Sequence, residues 1–207
     1  MVRREPSHVP IAPTVRGNEK VGAIIVEARK QLIEKGVSRF SSRAVAQTLG
    51  LRLYNVQHYF PSTEALLRAA LENAIVSFDA EIEEFLRTQH KTNAPETALR
   101  ESLRYFLRMN ERRWVRFFFF EMAAAAQHDA VIEGMLSDLY GEYLARISVL
   151  VSAANPALSR RELDRRTELI AFTIEGTMLV LPARSGNNHR RKSEDARVDY
   201  LVELACK

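Results

Sequence analysis

The chain has 207 residues, a formal net charge of +4 and one cysteine, Cys206. A single cysteine allows neither an intramolecular disulfide framework nor a zinc site of several cysteines, so a reducing cytoplasm is the expected compartment. Few glycines and prolines, and long stretches rich in Ala, Leu, Glu and Arg, favour an all-helical protein. The length fits either one large domain or a small domain joined to a medium one.

Positive charge is concentrated at the N-terminal end. Residues 1–70 contain 11 Lys/Arg and 5 Asp/Glu, a net of +6, so the remaining residues carry +4 minus +6, or −2. Because clustered Lys and Arg release counterions from phosphates, the basic end is the predicted nucleic-acid end. An ordinary solvated surface is the alternative interpretation of the same charges.

Two segments bear on secretion and membrane insertion. Residues 1–18 begin with a proline-containing stretch that lacks the continuous apolar core of a signal peptide, and we predict a flexible arm there. The longest apolar stretch, Leu169–Ala183, is interrupted by Glu175 and is shorter than the roughly 20 residues that a bilayer span needs. We therefore expect a cytoplasmic protein without a membrane partner.

Apolar residues recur at helical spacing through the N-terminal third. Three of the four predicted helices cover Glu19–Lys35, Leu53–Tyr59 and Thr63 to about Thr88, and the second, short helix carries Ala44, Val45, Ala46 and Leu49. Gly36 and Gly50 are predicted to end the first and second helices, because glycine suits a left-handed turn conformation. Ser41 or Ser42 can cap the second helix, and Pro61 forbids simple continuation of the third.

The same spacing predicts five helices in the remaining chain. They run from an Asn93 N-cap to Leu107, over Glu111–Gln127, over Val131–Ala154, from Arg160 to about Ala183, and over Asp195–Ala205. A capping box from Ser159 to Glu162 opens the fourth of these. The polar stretch Ser185–Ser193 is predicted to be a linker.

Two short helices joined by a tight turn containing glycine form a helix-turn-helix, whose second helix can enter the major groove of DNA. The segment Phe40–Leu51, followed by His58–Leu67, closely resembles the DNA-binding domain of the tetracycline-repressor (TetR) family. The resemblance is clear over residues 20–70 and is one of helix layout beyond. It implies an all-α fold in which a long helix joins an N-terminal three-helix domain to a C-terminal helical effector-binding and dimerisation domain. The predicted divisions are 1–18, 19–66 and 67–207.

The resemblance also implies which side chains contact double-stranded operator DNA. Those that face base edges are Arg43, Leu53, Tyr54, Gln57 and His58. Those that hold phosphates are Ser42, Asn55, Tyr59 and Thr63. Two positions depart from the family's pattern, since Gln57 stands where tyrosine is common and Thr63 where a lysine usually touches phosphate. Ordinary packing of a small helical domain is the alternative for Tyr54, His58 and Tyr59.

Four consecutive phenylalanines, Phe117–Phe120, fan around most of a helical turn, so their helix must be enclosed on several sides. A TetR-like layout implies that this helix runs along a ligand cavity, and we expect an apolar or aromatic effector. The predicted pocket residues are Phe78, Phe85, Tyr105, Met109, Phe118, Glu121, Met122, His128, Phe172, Glu175 and Met178. Core packing is the alternative for each. His128 and Asp129 lack metal-ligand spacing, so we predict a helix-end cap, no metal and no cofactor.

The last two predicted helices carry more apolar surface than a monomer easily covers. Their apolar residues are Leu163, Leu169, Ile170, Phe172, Ile174, Met178, Leu179, Leu181, Val198, Leu201, Val202 and Leu204. Pairing across a two-fold axis would cover them and form a homodimer, with close helix approach at Gly176. Close packing within one subunit is the alternative.

We therefore expect a DNA-binding transcriptional regulator, a repressor that a small-molecule effector releases from its operator. A helical adaptor that binds protein without an effector is the alternative, and the sequence does not choose between repression and activation. An enzyme is not expected, because we find no nucleophile elbow, phosphate-binding glycine loop or paired-histidine motif.

Overall fold

A computed structural model describes residues 8–92, 94–180 and 187–207, with the backbone alone for 90–92 and 187–192. Over these ranges the chain forms nine α-helices and one short 3₁₀ turn, Val37–Arg39, without a strand. The helices are α1 (Val15–Lys35), α2 (Ser42–Thr48), α3 (Leu53–Gln57), α4 (Thr63–Thr92), α5 (Pro95–Glu111), α6 (Arg113–Ala126), α7 (Ala130–Ala154), α8 (Arg160–Val180) and α9 (Asn187–Cys206). The predicted all-α class is confirmed.

Helix α1 begins four residues before the predicted Glu19, because Thr14 is its N-cap. The Thr14 hydroxyl accepts a hydrogen bond from the Gly17 amide at 3.0 Å, which satisfies one of the amides that a helix start leaves free. Residues 15–18 of the predicted arm are therefore helical, and residues 1–7 lie outside the described residues. The helix ends where predicted, at a Gly36 with a φ of +79°.

Helix α9 corrects the predicted linker Ser185–Ser193, because the chain is helical from Asn187 onward. Hydropathy missed this start, since the first two turns of α9 are polar. Ion pairs with α5 help to position this part of α9: the buried Glu194 carboxylate accepts a hydrogen bond from Arg108 Nε at 2.8 Å, and Asp195 pairs with Arg104. The predicted N-cap Asn93 and the predicted end of α8 at Ala183 lie outside the described residues.

The chain forms two compact units. The first unit comprises Met1–Glu81 and Phe117–Ser137, and its fully buried side chains include Ile24, Leu32, Phe60, Leu66, Leu71, Met122 and Ile132. The second unit comprises Ile82–Arg116 and Asp138–Lys207, and its fully buried side chains include Leu99, Leu103, Leu107, Ile147 and Leu150. Helices α4, α6 and α7 contribute residues to both units. The sequential division at residues 66 and 67 stays a prediction.

No helix within the described ranges combines the length and the apolar character that a membrane crossing requires.

Candidate DNA interface and effector site

Helices α2 and α3 of the first unit meet through a tight glycine turn. The Ser41 hydroxyl caps α2 by accepting from the Ala44 amide at 3.1 Å. Gly50 then adopts a φ of +65°, a conformation that side chains other than glycine rarely take. The Leu51 amide donates to the Ala46 carbonyl at 2.8 Å and closes the turn. At the start of α3, the Asn55 side-chain oxygen accepts from the Arg52 amide at 3.2 Å.

A continuous apolar face seats the two helices on the first unit. Val45 and Ala46 of α2, Val56 of α3 and Phe60 just after it are all at most 2% exposed. Val56 is the only fully buried residue of α3, so it and Phe60 fix that helix against its neighbours. The remaining residues of α3 are left at least partly accessible.

The predicted base-reading residues lie on this accessible side. Tyr54 is 72% exposed, Arg43, Gln57 and His58 are exposed, and Leu53 is half-buried. The Tyr54 and His58 rings are 6.5 Å apart between centroids. Packing in the domain interior therefore does not explain Tyr54 or His58. Their roles at base edges stay predictions.

The predicted phosphate contacts differ in exposure. Ser42 is only 4% exposed, and its hydroxyl forms a 3.2 Å hydrogen bond with the Thr63 hydroxyl at the first residue of α4. This pair links α2 to α4, a contact that spacing along the sequence did not reveal. Asn55 and Tyr59 are half-buried. The Asn55 side-chain nitrogen still carries two hydrogen-bond donors for a phosphate, while its oxygen serves α3.

Glu121 of α6 is bonded to the backbone directly after α1 in the first unit. Its Oε2 accepts a hydrogen bond from the Val37 amide at 2.7 Å, directly after α1. A Cβ atom at Gly36 would lie 2.8 Å from Glu121 Oε2 and 2.8 Å from Phe117 Cζ, so the close approach requires glycine. The predicted pocket residue Glu121 thus has a fixed backbone partner at the end of α1.

Asp129 joins the first turns of α4 and α7. Its Oδ2 accepts from Arg68 Nε at 3.1 Å and Nη2 at 2.8 Å, and its Oδ1 accepts from the Val131 amide at 2.9 Å. Burial raises the pKa of Asp129, but the bonds from Arg68 and from the Ile132 and Val131 amides outweigh it, so the pKa lies below its usual value. The predicted helix-end cap is therefore Asp129, while His128 is exposed.

The remaining predicted pocket residues of the first unit lie in its aromatic core. The Phe78 and Phe119 rings meet edge to face at 5.6 Å, and Phe119 meets Phe118 in the same way. Phe118 is 5% exposed and Met122 is fully buried. Core packing accounts for these side chains, and a ligand contact for them stays a prediction.

A polar cluster lies inside the second unit, where α5, α7 and α8 each contribute. Its members, which we call the Glu175 cluster, are Asn110, Tyr140, Tyr143 and Glu175. Asn110 Nδ2 donates to Glu175 Oε1 at 3.4 Å and to the Ile174 carbonyl at 3.1 Å. The Tyr140 hydroxyl donates to Glu175 Oε2 at 3.1 Å. The buried Tyr143 hydroxyl has no hydrogen-bond partner of ordinary geometry.

The electrostatics of the cluster follow from burial. Burial raises the pKa of Glu175, although the interactions with the Asn110 amide and the Tyr140 and Tyr143 hydroxyls oppose this change. Burial and the neighbouring Glu175 carboxylate raise the pKa of Tyr140, so its phenol stays protonated. None of the described Lys or Arg side chains forms an ion pair with Glu175. Sequence reasoning singled out Glu175 but missed its three partners, which lie 32 to 65 residues away in the chain.

Other predicted pocket residues of the second unit are divided between interior and surface. The Phe85 and Tyr105 rings stack at 4.0 Å with an interplanar angle of 11°. Met109 and Met178 are buried. Phe172 is 66% exposed on the outer side of α8, so it lines no interior site of this subunit.

The outer side of α8 carries an apolar stripe at helical spacing. Leu169, Phe172, Leu179 and Val180 are all exposed, and a Cβ atom added at Gly176 would meet nothing within 4 Å. The prediction that the apolar side chains of α9 need a second subunit to cover them is wrong, because α9 packs on α5 and α8 within the subunit. Burial within the subunit covers Ile170, Ile174, Met178, Val198, Leu201 and Val202. Leu181 lies outside the described residues.

No group of three or more His, Cys, Asp or Glu side chains suited to a metal ion occurs in the part of the chain that the structure describes.

Comparison with known proteins identifies the N-terminal domain. Residues 24–70 match the family model of bacterial regulatory proteins of the TetR family. These residues include α2, α3 and every predicted DNA contact. No curated protein sequence matches the chain significantly.

Solved structures extend the likeness to the whole fold. A TetR-family transcriptional regulator from Mesorhizobium loti is 16% identical, with a TM-score of 0.74 over 92% of this chain and 98% of that one. A transcriptional regulator from Saccharomonospora viridis in complex with choline is 17% identical, with a TM-score of 0.65 over 90% and 93%. The regulator FadR from Bacillus subtilis in complex with stearoyl-CoA is 15% identical, with a TM-score of 0.62 over 90% and 97%. The chain thus carries a TetR-family DNA-binding domain, and its fold is that of TetR-family transcriptional regulators.

Proposed function

We propose that this protein is a homodimeric transcriptional repressor that binds operator DNA through α2 and α3 and leaves it when a small-molecule effector binds the second unit. The observation that carries the proposal is the exposed face of α2 and α3, with Arg43, Tyr54, Gln57 and His58, within a matched TetR-family domain. Such a surface suits the major groove, because Arg pairs with guanine and Gln with adenine.

The phosphate contacts position the two helices on the duplex. Asn55, Tyr59 and Thr63 offer hydrogen-bond donors at the ends of α3 and at the start of α4. Thr63 lacks the charge of lysine, but the amides at the start of a 30-residue helix also attract phosphate. Ser42 acts on the phosphates through Thr63, whose hydroxyl it contacts.

A second copy of the chain is the proposed cover of the apolar stripe on α8. In a single subunit this stripe is exposed to solvent at Leu169, Phe172, Leu179 and Val180. Gly176 leaves room for a close helix crossing. A two-fold axis through this stripe presents two α3 helices to one operator, which suits a palindromic site. Tyr200 of α9 is also exposed and extends the proposed interface.

The Glu175 cluster and the neighbouring aromatic side chains are the proposed effector site. Phe85, Tyr105, Met109 and Met178 supply apolar surface in the same unit, and Glu175 supplies a polar anchor of the kind that orients ligands. Fold neighbours bound to choline and to stearoyl-CoA support the proposal that the fold accommodates small molecules. Helix α4 starts in the first unit and continues into the second, so it is the covalent route by which an effector changes the separation of the two α3 helices.

The test is a selection of duplexes from a random library by the full-length protein, followed by binding titrations at several salt concentrations. We expect one enriched, palindromic sequence whose affinity falls steeply with salt, since phosphate contacts release counterions. An effector, once identified, should weaken that binding at least tenfold. A protein that enriches no duplex but captures a protein partner through α8 would be an adaptor, and the proposal would be wrong.

A further inference from the structure

We propose that the ligand of the Glu175 cluster is an organic cation, recognised by the Glu175 carboxylate and by the faces of the Tyr140 and Tyr143 rings. The inference rests on the proposed function, because it names the chemical class of the effector. The observations that support it are the charge and the ring geometry of the second unit.

The negative charge of Glu175 has no positively charged side chain beside it within the described ranges. Two carboxylates among the described residues of the second unit, Glu194 and Glu175, are withdrawn from water, and they differ in the charge of their partners. Glu194 is paired with Arg108 and lies within 3.8 Å of Arg104. The partners of Glu175 are the neutral groups of Asn110 and Tyr140, which donate hydrogen bonds to it, and the Tyr143 hydroxyl, whose contact lacks ordinary hydrogen-bond geometry. A withdrawn carboxylate without a cation is unfavourable, and a positively charged ligand removes that deficit.

Three aromatic rings, those of Phe106, Tyr140 and Tyr143, pack together at the Glu175 cluster. The Tyr140 and Tyr143 ring centroids are 6.4 Å apart at an angle of 68°, and Phe106 meets Tyr143 at 5.4 Å and 85°. The three ring planes are therefore crossed, and Tyr140 is bonded to the Glu175 carboxylate through its hydroxyl. Ring faces attract cations within about 6 Å, and ammonium groups surrounded by several rings are the best-known example. The combination of one carboxylate and several crossed rings suits an alkylammonium or arylammonium group.

The Tyr143 hydroxyl is an independent observation that points to a ligand. It is buried, and its contact with the Glu175 carboxylate does not reach ordinary hydrogen-bond geometry. A buried hydroxyl without a partner costs free energy, so such groups are rare in the absence of a function. A polar group of the ligand, or a water bound with it, completes this hydrogen bond.

Other ligand classes fit the cluster less well. An anion is repelled by Glu175, and a divalent metal needs more ligands than the single carboxylate supplies. A neutral aromatic molecule can contact the rings but leaves the carboxylate uncompensated. The charge of the ligand is therefore the property to test.

The experiment compares ligands that differ in charge but not in shape. Calorimetric titrations of the full-length protein use (4-hydroxyphenyl)trimethylammonium against its neutral isostere 4-tert-butylphenol, and tetraphenylphosphonium against tetraphenylborate. We expect at least one cation to bind about ten- to a hundredfold more tightly than its counterpart, the size of effect that charge attraction to a carboxylate withdrawn from water and cation–π contacts provide. If neither cation is preferred, the inference is wrong.

Variants assign the preference to this cluster. Glu175→Gln keeps the size and a hydrogen-bond acceptor for Tyr140 but removes the charge, so it should reduce the cation preference to less than about threefold. Glu168→Gln removes a charge from the exposed side of the same helix and should leave it unchanged. Tyr143→Leu should weaken cation binding, and Tyr143→Phe, which keeps the ring, should retain most of it. A cation preference that survives Glu175→Gln contradicts the assignment.

The outcomes separate this inference from the proposed function. Cation binding that depends on Glu175 but leaves operator affinity unchanged supports the site and contradicts its role as the effector site. Release from the operator by neutral or anionic molecules alone supports an effector mechanism and contradicts the cation site.

Discussion

The two units differ in one carboxylate: the second unit contains Glu175, which is withdrawn from solvent without an ionic partner among the described side chains, in addition to Glu194, which pairs with Arg108. In the first unit, Glu121 accepts from the Val37 amide and Asp129 accepts from the Arg68 guanidinium and from the first amides of α7. In the described part of the second unit, Glu175 has only the neutral partners Asn110, Tyr140 and Tyr143, and the Tyr143 contact lacks ordinary hydrogen-bond geometry. The first arrangement links α6 to the end of α1 and α4 to the start of α7. The second leaves a polar centre incomplete.

The partners of each withdrawn carboxylate indicate whether it serves the fold or is available for a ligand. A carboxylate with ionic or helix-end partners contributes to stability in the folded chain. One that is withdrawn without such partners lowers stability and is retained for another reason. By this criterion Glu121 and Asp129 of the first unit serve the fold, and Glu175 of the second unit is available for the proposed ligand.

The largest expected effect comes from breaking the core that seats α3. Phe60 is 1% exposed, and Phe60→Ala should lower the free energy of unfolding by about 3–5 kcal/mol through lost burial and a cavity. Thermal and denaturant unfolding measure this loss, and duplex binding should fall with it because α3 loses its support. Tyr54→Ala, on the exposed side of α3, is the control and should change stability by less than about 0.5 kcal/mol.

Asp129→Ala should give the next largest loss. It removes both the N-cap of α7 and the partner of Arg68, and together these should cost about 1–2 kcal/mol of unfolding free energy. Asp129→Asn keeps a capping side chain and should cost less than about 1 kcal/mol. Equal losses for the two variants would show that the cap contributes nothing.

The pH dependence of these two carboxylates should have opposite sign. Because the pKa of Asp129 is lowered in the folded chain, its contribution is present above the unfolded value near 3.8 and is lost as the pH falls through the lower folded value. Because burial raises the pKa of Glu175, its charge lowers stability at neutral pH, and this penalty disappears as the pH falls through the raised value toward 4.5.

Glu175→Gln should therefore raise the melting temperature at pH 7.5, and the gain should shrink on acidification toward pH 4.5. Melting curves of the variant and the wild type across this range measure it. A variant that is less stable than the wild type at pH 7.5 would mean that Glu175 serves the fold, and the contrast between the units would not hold.

The smallest effect on subunit stability is expected on the outer side of α8. Phe172 is exposed, so Phe172→Glu should leave the secondary structure of the subunit intact while converting the dimer to a monomer, because the charge would be placed in the interface. Sedimentation velocity distinguishes the two states. Val149→Glu, at another exposed apolar position in the second unit, is the matched control. A Phe172→Glu dimer would place the interface elsewhere.

Local signals predicted much of the fold. Apolar spacing and the residues Ser41, Gly36 and Gly50 placed α1 to α3 within a few residues, because caps and positive φ angles act over one helical turn. Helix α9 was predicted too short, because its first turns are polar and its pairing of Glu194 with Arg108 spans 86 residues. Periodicity along one helix carries no information about such partners.

The sequence predicted the candidate DNA contacts more completely than the candidate effector site, because periodicity does not reveal partners that are distant in the chain. The predicted DNA contacts follow one another in a matched segment, whereas the Glu175 cluster combines residues of three helices that only the fold brings together. The exposure of Phe172 and the attachment of Glu121 to Val37 also depend on which face each helix presents to its neighbours. These features required the structure.

The central claim is that α2 and α3 read DNA sequence, and base-by-base binding profiles of the selected duplex test it most directly. Arg43→Ala and Gln57→Ala should each lose about 1–3 kcal/mol at particular base pairs and relax the preference there. Asn55→Ala should weaken all sequences alike, because phosphates carry no sequence information. Profiles of Arg43→Ala and Gln57→Ala that fall uniformly at every position, or that match the wild type, would contradict the account.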